Sequence, residues 1–154
     1  MKLRTFYLSL FFSIVSSTRR LRIKPHSLAV YDIEFMAKCV MGHSGWIYNG
    51  YGCYCGIGGA GKPMDGIDEC CRKHDICYDI AALKGGPCWV APFEYFAPYE
   101  WRCQDQKIQC TGKMNKNWRM LPLDCGDALC ECDRKLTECW SRFPQPQGHI
   151  KCSF

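Results

Sequence analysis

Apolar residues recur at helical spacing near the start of the mature region, every three or four positions, at Leu28, Tyr31, Phe35 and Cys39. This repeat predicts a first helix that Ser27 caps and Gly42 ends. A second helix is predicted to begin between residues 65 and 68 and to end at 84–86, where a lysine precedes two glycines. A third is predicted from residue 124 or 127 to Trp140.

A short hairpin is predicted between the last two helices, with strands at 99–103 and 107–111 flanking residues 104–106. The chain shows no internal repeat and no second domain. These elements predict one mainly α, disulfide-rich domain over residues 28–154, with two long antiparallel helices, an N-terminal helix and a small two-stranded β-wing.

The first 27 residues have the composition of a leader. Residues 1–17 predict a signal peptide, because Lys2 and Arg4 precede an apolar run at 6–15 and small residues follow. Residues 18–27 carry four basic residues and predict a pro-segment. A membrane anchor is the alternative, but the run is shorter than the about 20 residues that span a bilayer. We therefore expect a secreted, extracellular protein.

The basic charge belongs to this leader. Of 20 Lys and Arg residues, six lie before residue 27, whereas all 15 acidic residues lie after it. The formal net charge is +5 for the whole chain and −1 for the remainder. The mature domain therefore gives no indication of a nucleic-acid partner.

The 14 cysteines indicate a disulfide framework in an oxidising compartment. Zinc is the alternative, because soft ligands surround His74 in the segment 53–77. Four cysteines occur as two pairs spaced by seven residues, Cys70 with Cys77 and Cys132 with Cys139. Each pair lies along one helix face, so antiparallel packing would staple the two helices twice. His74 would then face Asp133.

The most informative segment is Tyr51-Gly-Cys-Tyr-Cys-Gly-Ile-Gly-Gly, upstream of Asp68-Glu-Cys-Cys-Arg-Lys-His-Asp-Ile-Cys-Tyr78. A glycine-rich loop can turn several carbonyls toward one point, and a Cys55–Cys71 bridge would place it over Asp75. Such oxygen ligands suit Ca²⁺. His74 stands beside Asp75, and histidine is the side chain most often used for proton transfer. A metal beside a base predicts a hydrolase.

These motifs, together with Cys130-Glu-Cys-Asp133, resemble the secreted phospholipase A2 family, in particular its pancreatic and elapid-venom type. The resemblance runs from about residue 28 to residue 152. It implies seven disulfides: Cys39–Cys103, Cys53–Cys152, Cys55–Cys71, Cys70–Cys139, Cys77–Cys132, Cys88–Cys125 and Cys110–Cys130.

The resemblance also implies a calcium-dependent enzyme that hydrolyses the sn-2 ester of glycerophospholipids. Its Ca²⁺ ligands would be the carbonyls of Tyr54, Gly56 and Gly58 and the carboxylate of Asp75. His74 would act as general base on water, and Asp133 would orient it. Tyr78 and Tyr99 would hydrogen-bond to Asp133, although packing alone is the alternative for both tyrosines. The Gly56 N–H would stabilise the oxyanion.

The implied partner is the surface of a phospholipid membrane or micelle, met by a monomer through Leu28, Tyr31, Trp46 and Ile47. Residues Ile33, Met36 and Ala37 would line the acyl-chain channel. Because the mature charge is near zero, we expect zwitterionic as well as anionic surfaces to be tolerated. The alternative function is a non-enzymatic, receptor- or toxin-like binding protein on the same scaffold, with a protein receptor as its partner.

Several polar residues are predicted to have no catalytic part. Asp65 and Asp68 are expected to cap the second helix, and His26, His43 and His149 are expected on the surface. The chain departs from the family pattern by about eight extra residues between Cys110 and Cys125 and by shorter segments at 39–53 and 139–152. The extra residues are expected in a surface loop.

Overall fold

The computed structural model describes residues 29–89, 98–111 and 125–153. Its elements are α1 (Ala29–Met41), a 3-10 helix (Gly45–Tyr48), α2 (Gly66–Ala82), β1 (Trp101–Gln104), β2 (Lys107–Cys110) and α3 (Cys125–Trp140). The predicted signal peptide, pro-segment, Ser27 cap and most of the insertion before Cys125 lie outside the described residues. Among those that are described, no helix is long and apolar enough to cross a membrane.

Helix α1 ends where the sequence predicts. Gly42 adopts a φ of 75°, a left-handed conformation that glycine tolerates, and its N–H donates to the Lys38 carbonyl at 3.1 Å. The buried face differs from the predicted repeat, however. Tyr31 and Phe35 are exposed, whereas Met36 and Ala37 are completely buried. The apolar repeat therefore continues on the outer side of α1, and the core side uses other positions.

Helix α2 begins after Asp65, whose carboxylate accepts a hydrogen bond from the Asp68 N–H at 2.9 Å and so caps the helix. It ends at Ala82, two residues before the predicted lysine. Leu83 leaves the helical conformation, with a ψ of 153°, and the chain turns back so that the Cys88 N–H reaches the Ala81 carbonyl.

Helices α2 and α3 are antiparallel, because the two cysteine pairs join in the order that the spacing predicts. Cys70 bonds Cys139 and Cys77 bonds Cys132, with Cα–Cα distances of 5.7 and 5.8 Å. The other five disulfides are Cys39–Cys103, Cys53–Cys152, Cys55–Cys71, Cys88–Cys125 and Cys110–Cys130. All seven are the pairs that the resemblance implies, and each contributes about 2–4 kcal/mol.

The hairpin has a tighter turn than predicted. Gln104 pairs with Lys107, so the connection has two residues rather than three. Asp105 and Gln106 both have positive φ, 51° and 60°, as a two-residue turn between twisted strands requires.

The core has two parts, one against the N-terminal half of α3 and one against its C-terminal half. Met36, Tyr78, Tyr99 and Leu129 belong to the first part. Tyr48, Ile67, Leu136 and Trp140 belong to the second, where Tyr48 stacks on Trp140 with ring centroids 4.0 Å apart. Because Tyr78 and Tyr99 come from the core, their hydroxyl groups meet α3 away from water.

Candidate active site

His74 and Asp133 are in direct contact between the stapled helices. His74 Nε2 lies 2.6 Å from Asp133 Oδ1, and Asp133 is completely buried. The other ring nitrogen, Nδ1, lies 4.0 Å from Asp75 Oδ1. A buried carboxylate on Nε2 fixes the tautomer in which Nε2 carries the proton and Nδ1 is a free base. The arrangement can therefore take a proton at Nδ1.

Two tyrosines complete the surroundings of Asp133. The Tyr78 hydroxyl donates to Oδ1 at 2.9 Å, and the Tyr99 hydroxyl donates to Oδ2. Burial and the nearby Asp133 charge raise the pKa of Tyr99 well above its ordinary value. It therefore remains a neutral donor, and the buried carboxylate has donors on both oxygens.

Asp75 lies one residue further along α2, against the glycine-rich loop. A Cβ atom on Gly59 would come within 2.8 Å of Asp75 Oδ2, so only glycine fits there without displacement. Burial raises the pKa of Asp75 to about 6, and the charges of Asp79 and Asp68 act in the same direction. Within the described part of the chain, no N–H or O–H group donates a hydrogen bond to this carboxylate.

The loop itself is compact. The Cys55–Cys71 disulfide ties it to α2 with a Cα–Cα distance of 5.0 Å. Gly58 has a φ of 79°, and the Tyr54 hydroxyl donates to the Gly61 carbonyl at 2.7 Å. The Gly56 N–H donates to the Tyr54 carbonyl at 2.8 Å, so in this structure it is already engaged.

These features fit a hard cation. A partly desolvated carboxylate, to which no donor among the described residues hydrogen-bonds, faces a loop whose carbonyl oxygens are also available, and carboxylate and carbonyl oxygens are ligands that Ca²⁺ prefers. Zinc does not fit. All 14 cysteines are in disulfides, so no thiolate is left. The described residues also contain no group of three or more His, Cys, Asp or Glu side chains that could hold a metal ion.

Asp68 is a residue whose role the sequence reasoning missed. Asp65 caps α2 as predicted, but Asp68 is fully buried and accepts hydrogen bonds from the loop N–H groups of Cys53 and Tyr54. Its position in the sequence carries a signal. Asp68 lies three residues before Cys71 and seven before Asp75, which places all three on the loop-facing side of α2.

Asp32 was missed as well, and nothing in its sequence context marks it. It is buried on α1 and accepts a hydrogen bond from Trp101 Nε1 at 3.0 Å. Its charge is one of those that raise the pKa of Tyr99, after burial, Asp133 and Tyr78. The contact therefore joins α1 and β1 beside the Asp133 network.

His43 and His149 lie outside this network. His149 is exposed, as predicted, and its Nε2 lies 3.0 Å from the Ile47 carbonyl. His43 is half-buried rather than on the surface, because its Nε2 meets the Tyr48 hydroxyl at 3.1 Å. His26 lies outside the described residues.

Two aromatic residues predicted to meet lipid are adjacent and exposed. Tyr31 is 49 % exposed and Trp46 is 45 % exposed, and their rings pack edge to face with centroids 6.1 Å apart. Ile47 is half-buried, and Leu28 lies outside the described residues. Of the residues predicted for the acyl-chain channel, Ile33 is half-buried, and Met36 and Ala37 are in the core.

Comparison with known proteins shows the family of the chain. The family model described as phospholipase A2 matches residues 30–150. The chain belongs to the phospholipase A2 family. It is 37 % identical over 116 residues to acidic phospholipase A2 2 of Naja naja and 35 % identical over 116 residues to acidic phospholipase A2 E of Naja oxiana. Each match covers 75 % of this chain and 87 % of the relative.

A mammalian relative is equally similar. The chain is 36 % identical over 118 residues to phospholipase A2 of Oryctolagus cuniculus, a match that covers 75 % of this chain and 76 % of the relative. Snake and rabbit relatives therefore agree in name, and the chain is a phospholipase A2 enzyme with the disulfide-rich, mainly α fold described above.

Proposed function

We propose that this phospholipase A2 is secreted and hydrolyses the sn-2 ester of glycerophospholipids in a calcium-dependent reaction, with His74 as the general base. The contact between His74 Nε2 and Asp133 Oδ1, at 2.6 Å, carries the proposal. It leaves Nδ1 as the basic nitrogen, on the side of the ring that faces Asp75. A base beside a metal ligand can activate water at the position where a bound metal would polarise the ester carbonyl.

The reaction needs no covalent intermediate. His74 Nδ1 takes a proton from a water molecule as the water oxygen attacks the sn-2 carbonyl carbon. The bond between that carbon and the glycerol oxygen then breaks, and the proton passes from His74 to the glycerol oxygen. The products are a lysophospholipid and a free fatty acid. Asp133 stabilises the imidazolium formed meanwhile, and Tyr78 and Tyr99 hold Asp133 in place.

The proposed Ca²⁺ ligands are the carbonyls of Tyr54, Gly56 and Gly58 and the Asp75 carboxylate. Calcium, when bound, would polarise the ester carbonyl and stabilise the oxyanion. The raised pKa of Asp75 and its lack of a hydrogen-bond donor among the described residues support this assignment, since a cation would compensate the desolvated charge. The Gly56 N–H is a second proposed oxyanion donor, once its contact with the Tyr54 carbonyl opens.

Release of sn-2 fatty acid from phosphatidylcholine and phosphatidylglycerol vesicles tests the proposal. The oxidised, processed protein is assayed with millimolar calcium, with EGTA, and as His74→Gln. We expect hydrolysis that requires both calcium and His74. His149→Gln is the matched control, because it removes an exposed imidazole and should leave the rate unchanged.

The outcome also separates the alternatives. Activity on both lipids agrees with a mature charge near zero, whereas activity confined to phosphatidylglycerol contradicts that expectation. Folded protein that binds calcium but releases no fatty acid would overturn the proposal. The receptor- or toxin-like binding protein would then be the better account.

A further inference from the structure

We infer that Asp68 is the positioning residue of the calcium loop: its carboxylate fixes the peptide groups that lead into the proposed ligands before any metal binds. The inference rests on the proposed function, because the loop carbonyls matter only if they bind calcium. It concerns a residue that touches neither substrate nor metal in that proposal.

Three backbone N–H groups donate to the Asp68 carboxylate. Oδ1 accepts from Tyr54 at 2.7 Å, and Oδ2 accepts from Cys53 at 2.8 Å and from Met64 at 2.9 Å. Cys53 and Tyr54 lie at the start of the loop and Met64 at its end. One side chain therefore holds both ends of the loop together.

The burial of Asp68 makes its hydrogen bonds to the loop costly to break. Asp68 is completely buried, and none of the salt bridges found in the described residues includes it. A buried carboxylate without a cation depends on its hydrogen bonds, and its position in the first turn of α2 adds the favourable end of the helix dipole. Loss of the loop contacts would leave the charge uncompensated, so the loop is held firmly.

Gly52 shows how closely the backbone approaches this carboxylate. A Cβ atom at Gly52 would lie 2.3 Å from Asp68 Cγ and within 2.5 Å of both oxygens. The residue also has a φ of 65°. Only glycine allows the chain to pass here, so the loop and Asp68 fit each other at a position that admits no side chain.

The same side of α2 attaches the loop three times. Asp68 binds it by hydrogen bonds, Cys71 binds it by the disulfide to Cys55, and Asp75 would bind it through calcium. The spacing of three and four residues places these groups in one line along the helix. Asp68 accepts a hydrogen bond from the Tyr54 N–H. The carbonyl of the same residue, in the next peptide unit, is the first proposed ligand. Asp68 therefore aims that carbonyl in advance and lowers the ordering cost of binding.

Calcium affinity of Asp68→Asn, measured by calorimetric titration with calcium chloride, tests the inference. The amide keeps the shape of the carboxylate but turns an NH₂ group toward at least one backbone N–H. We expect calcium binding to weaken about 10- to 100-fold, as for other residues that orient metal ligands. Asp65→Asn is the matched control, because asparagine caps a helix as well as aspartate does. Its amide group can also keep the contact that Asp65 Oδ2 makes with the Tyr51 hydroxyl, and the described hydrogen bonds of the Cys53 and Tyr54 N–H groups go to Asp68. Asp65→Asn should bind calcium within about twofold of the unmodified protein.

Hydrogen exchange in the calcium-free protein gives a readout that needs neither metal nor activity. The Cys53 and Tyr54 amides should exchange far more slowly than that of the fully exposed Ile57 in the same loop, and Asp68→Asn should remove this protection. Equal exchange of the three amides in the unmodified protein would overturn the inference, and so would calcium binding by Asp68→Asn as tight as by Asp65→Asn. If the unmodified protein binds no calcium, the proposed function fails. If Asp68→Asn does not fold, the comparison of amide exchange rates within the unmodified protein still tests whether Asp68 holds the loop.

Discussion

Glu34 on α1 and Trp46 in the 3-10 helix are joined by a hydrogen bond, in which the Trp46 N–H donates to Glu34 Oε2 at 3.1 Å. The same oxygen accepts from the Ser44 hydroxyl at 2.8 Å, and Oε1 pairs with Lys38 at 2.7 Å. The side chain of Glu34 is only 8 % exposed. This single carboxylate therefore fixes the segment that presents Trp46 to solvent.

Replacement of Glu34 by glutamine should lower the free energy of unfolding by about 1–3 kcal/mol at pH 7, because hydrogen bonds to a charged group are lost and a donor is left unpaired. Guanidinium unfolding with intact disulfides measures the loss. Glu131→Gln is the control, since Arg134 keeps its pair with Glu138 when the half-buried pair with Glu131 is broken, so the loss should be small. Equal losses in the two variants would contradict the argument.

The stability difference should also depend on pH. Burial alone would raise the pKa of Glu34, but hydrogen bonds from Lys38, Ser44 and Trp46 outweigh it and lower the pKa below its ordinary value. A lowered pKa in the folded state stabilises the protein above the unfolded pKa, and this contribution is lost as the pH falls through the folded value. The unmodified protein should therefore approach Glu34→Gln in stability as the pH falls below the ordinary pKa of glutamate and through the lowered pKa of Glu34.

Asp133→Asn should reduce kcat about 10²-fold, the lower end of the usual contribution of general base catalysis. The amide cannot stabilise an imidazolium, and its NH₂ group would face either His74 or the Tyr99 hydroxyl. Calcium affinity should stay unchanged, because Asp133 does not touch the loop. Initial rates on phosphatidylcholine vesicles and calorimetric calcium titration check both parts. An unchanged kcat in Asp133→Asn would show that His74 does not need a carboxylate at its Nε2.

Asp75→Asn should abolish calcium binding and, in EGTA, should raise the thermal midpoint at pH 8. The pKa of Asp75 is raised from 3.8 to about 6 in the fold, so the folded protein binds more protons than the unfolded chain between these values. Stability therefore falls as the pH rises through this window. The asparagine variant lacks this dependence, and the difference between the two proteins should vanish at pH 4. A variant that is less stable than the unmodified protein at pH 8 would show that the ionised Asp75 carboxylate does not destabilise the fold.

The sequence predicts those parts of the fold that depend on local spacing. Cys70 and Cys77, seven residues apart, reveal both the helix face and the antiparallel partner, because two helical turns return a side chain to the same side. The contact between His74 and Asp133 follows from the same register. Gly42 ends α1 as predicted because left-handed backbone is local chemistry.

Contacts made between distant segments could not be predicted in this way. The sequence around Asp68 predicts a helix cap, and only the folded loop supplies its hydrogen-bond donors. The sequence around Glu34 is that of an ordinary surface residue. Which side of α1 is buried could not be predicted for a related reason, since α1 is apolar on more than one side and only packing decides which side enters the core. Contacts were thus predictable where both residues share a helix register, as His74 and Asp133 do, and not where a loop folds onto a helix residue, as onto Asp68.

Trp46→Ala should weaken binding to phosphatidylcholine vesicles about tenfold, equivalent to roughly 1.4 kcal/mol. Tryptophan favours the interface between lipid and water, and Trp46 is held against Tyr31 by the hydrogen bond from its backbone to Glu34. Flotation with vesicles in the absence of calcium, so that no lipid is hydrolysed, measures the change. Leu83→Ala is the control, because Leu83 is more exposed, at 62 %, and ends α2. Equal losses from both variants would show adhesion of any exposed apolar group, whereas a loss confined to Trp46→Ala assigns lipid contact to the aromatic pair.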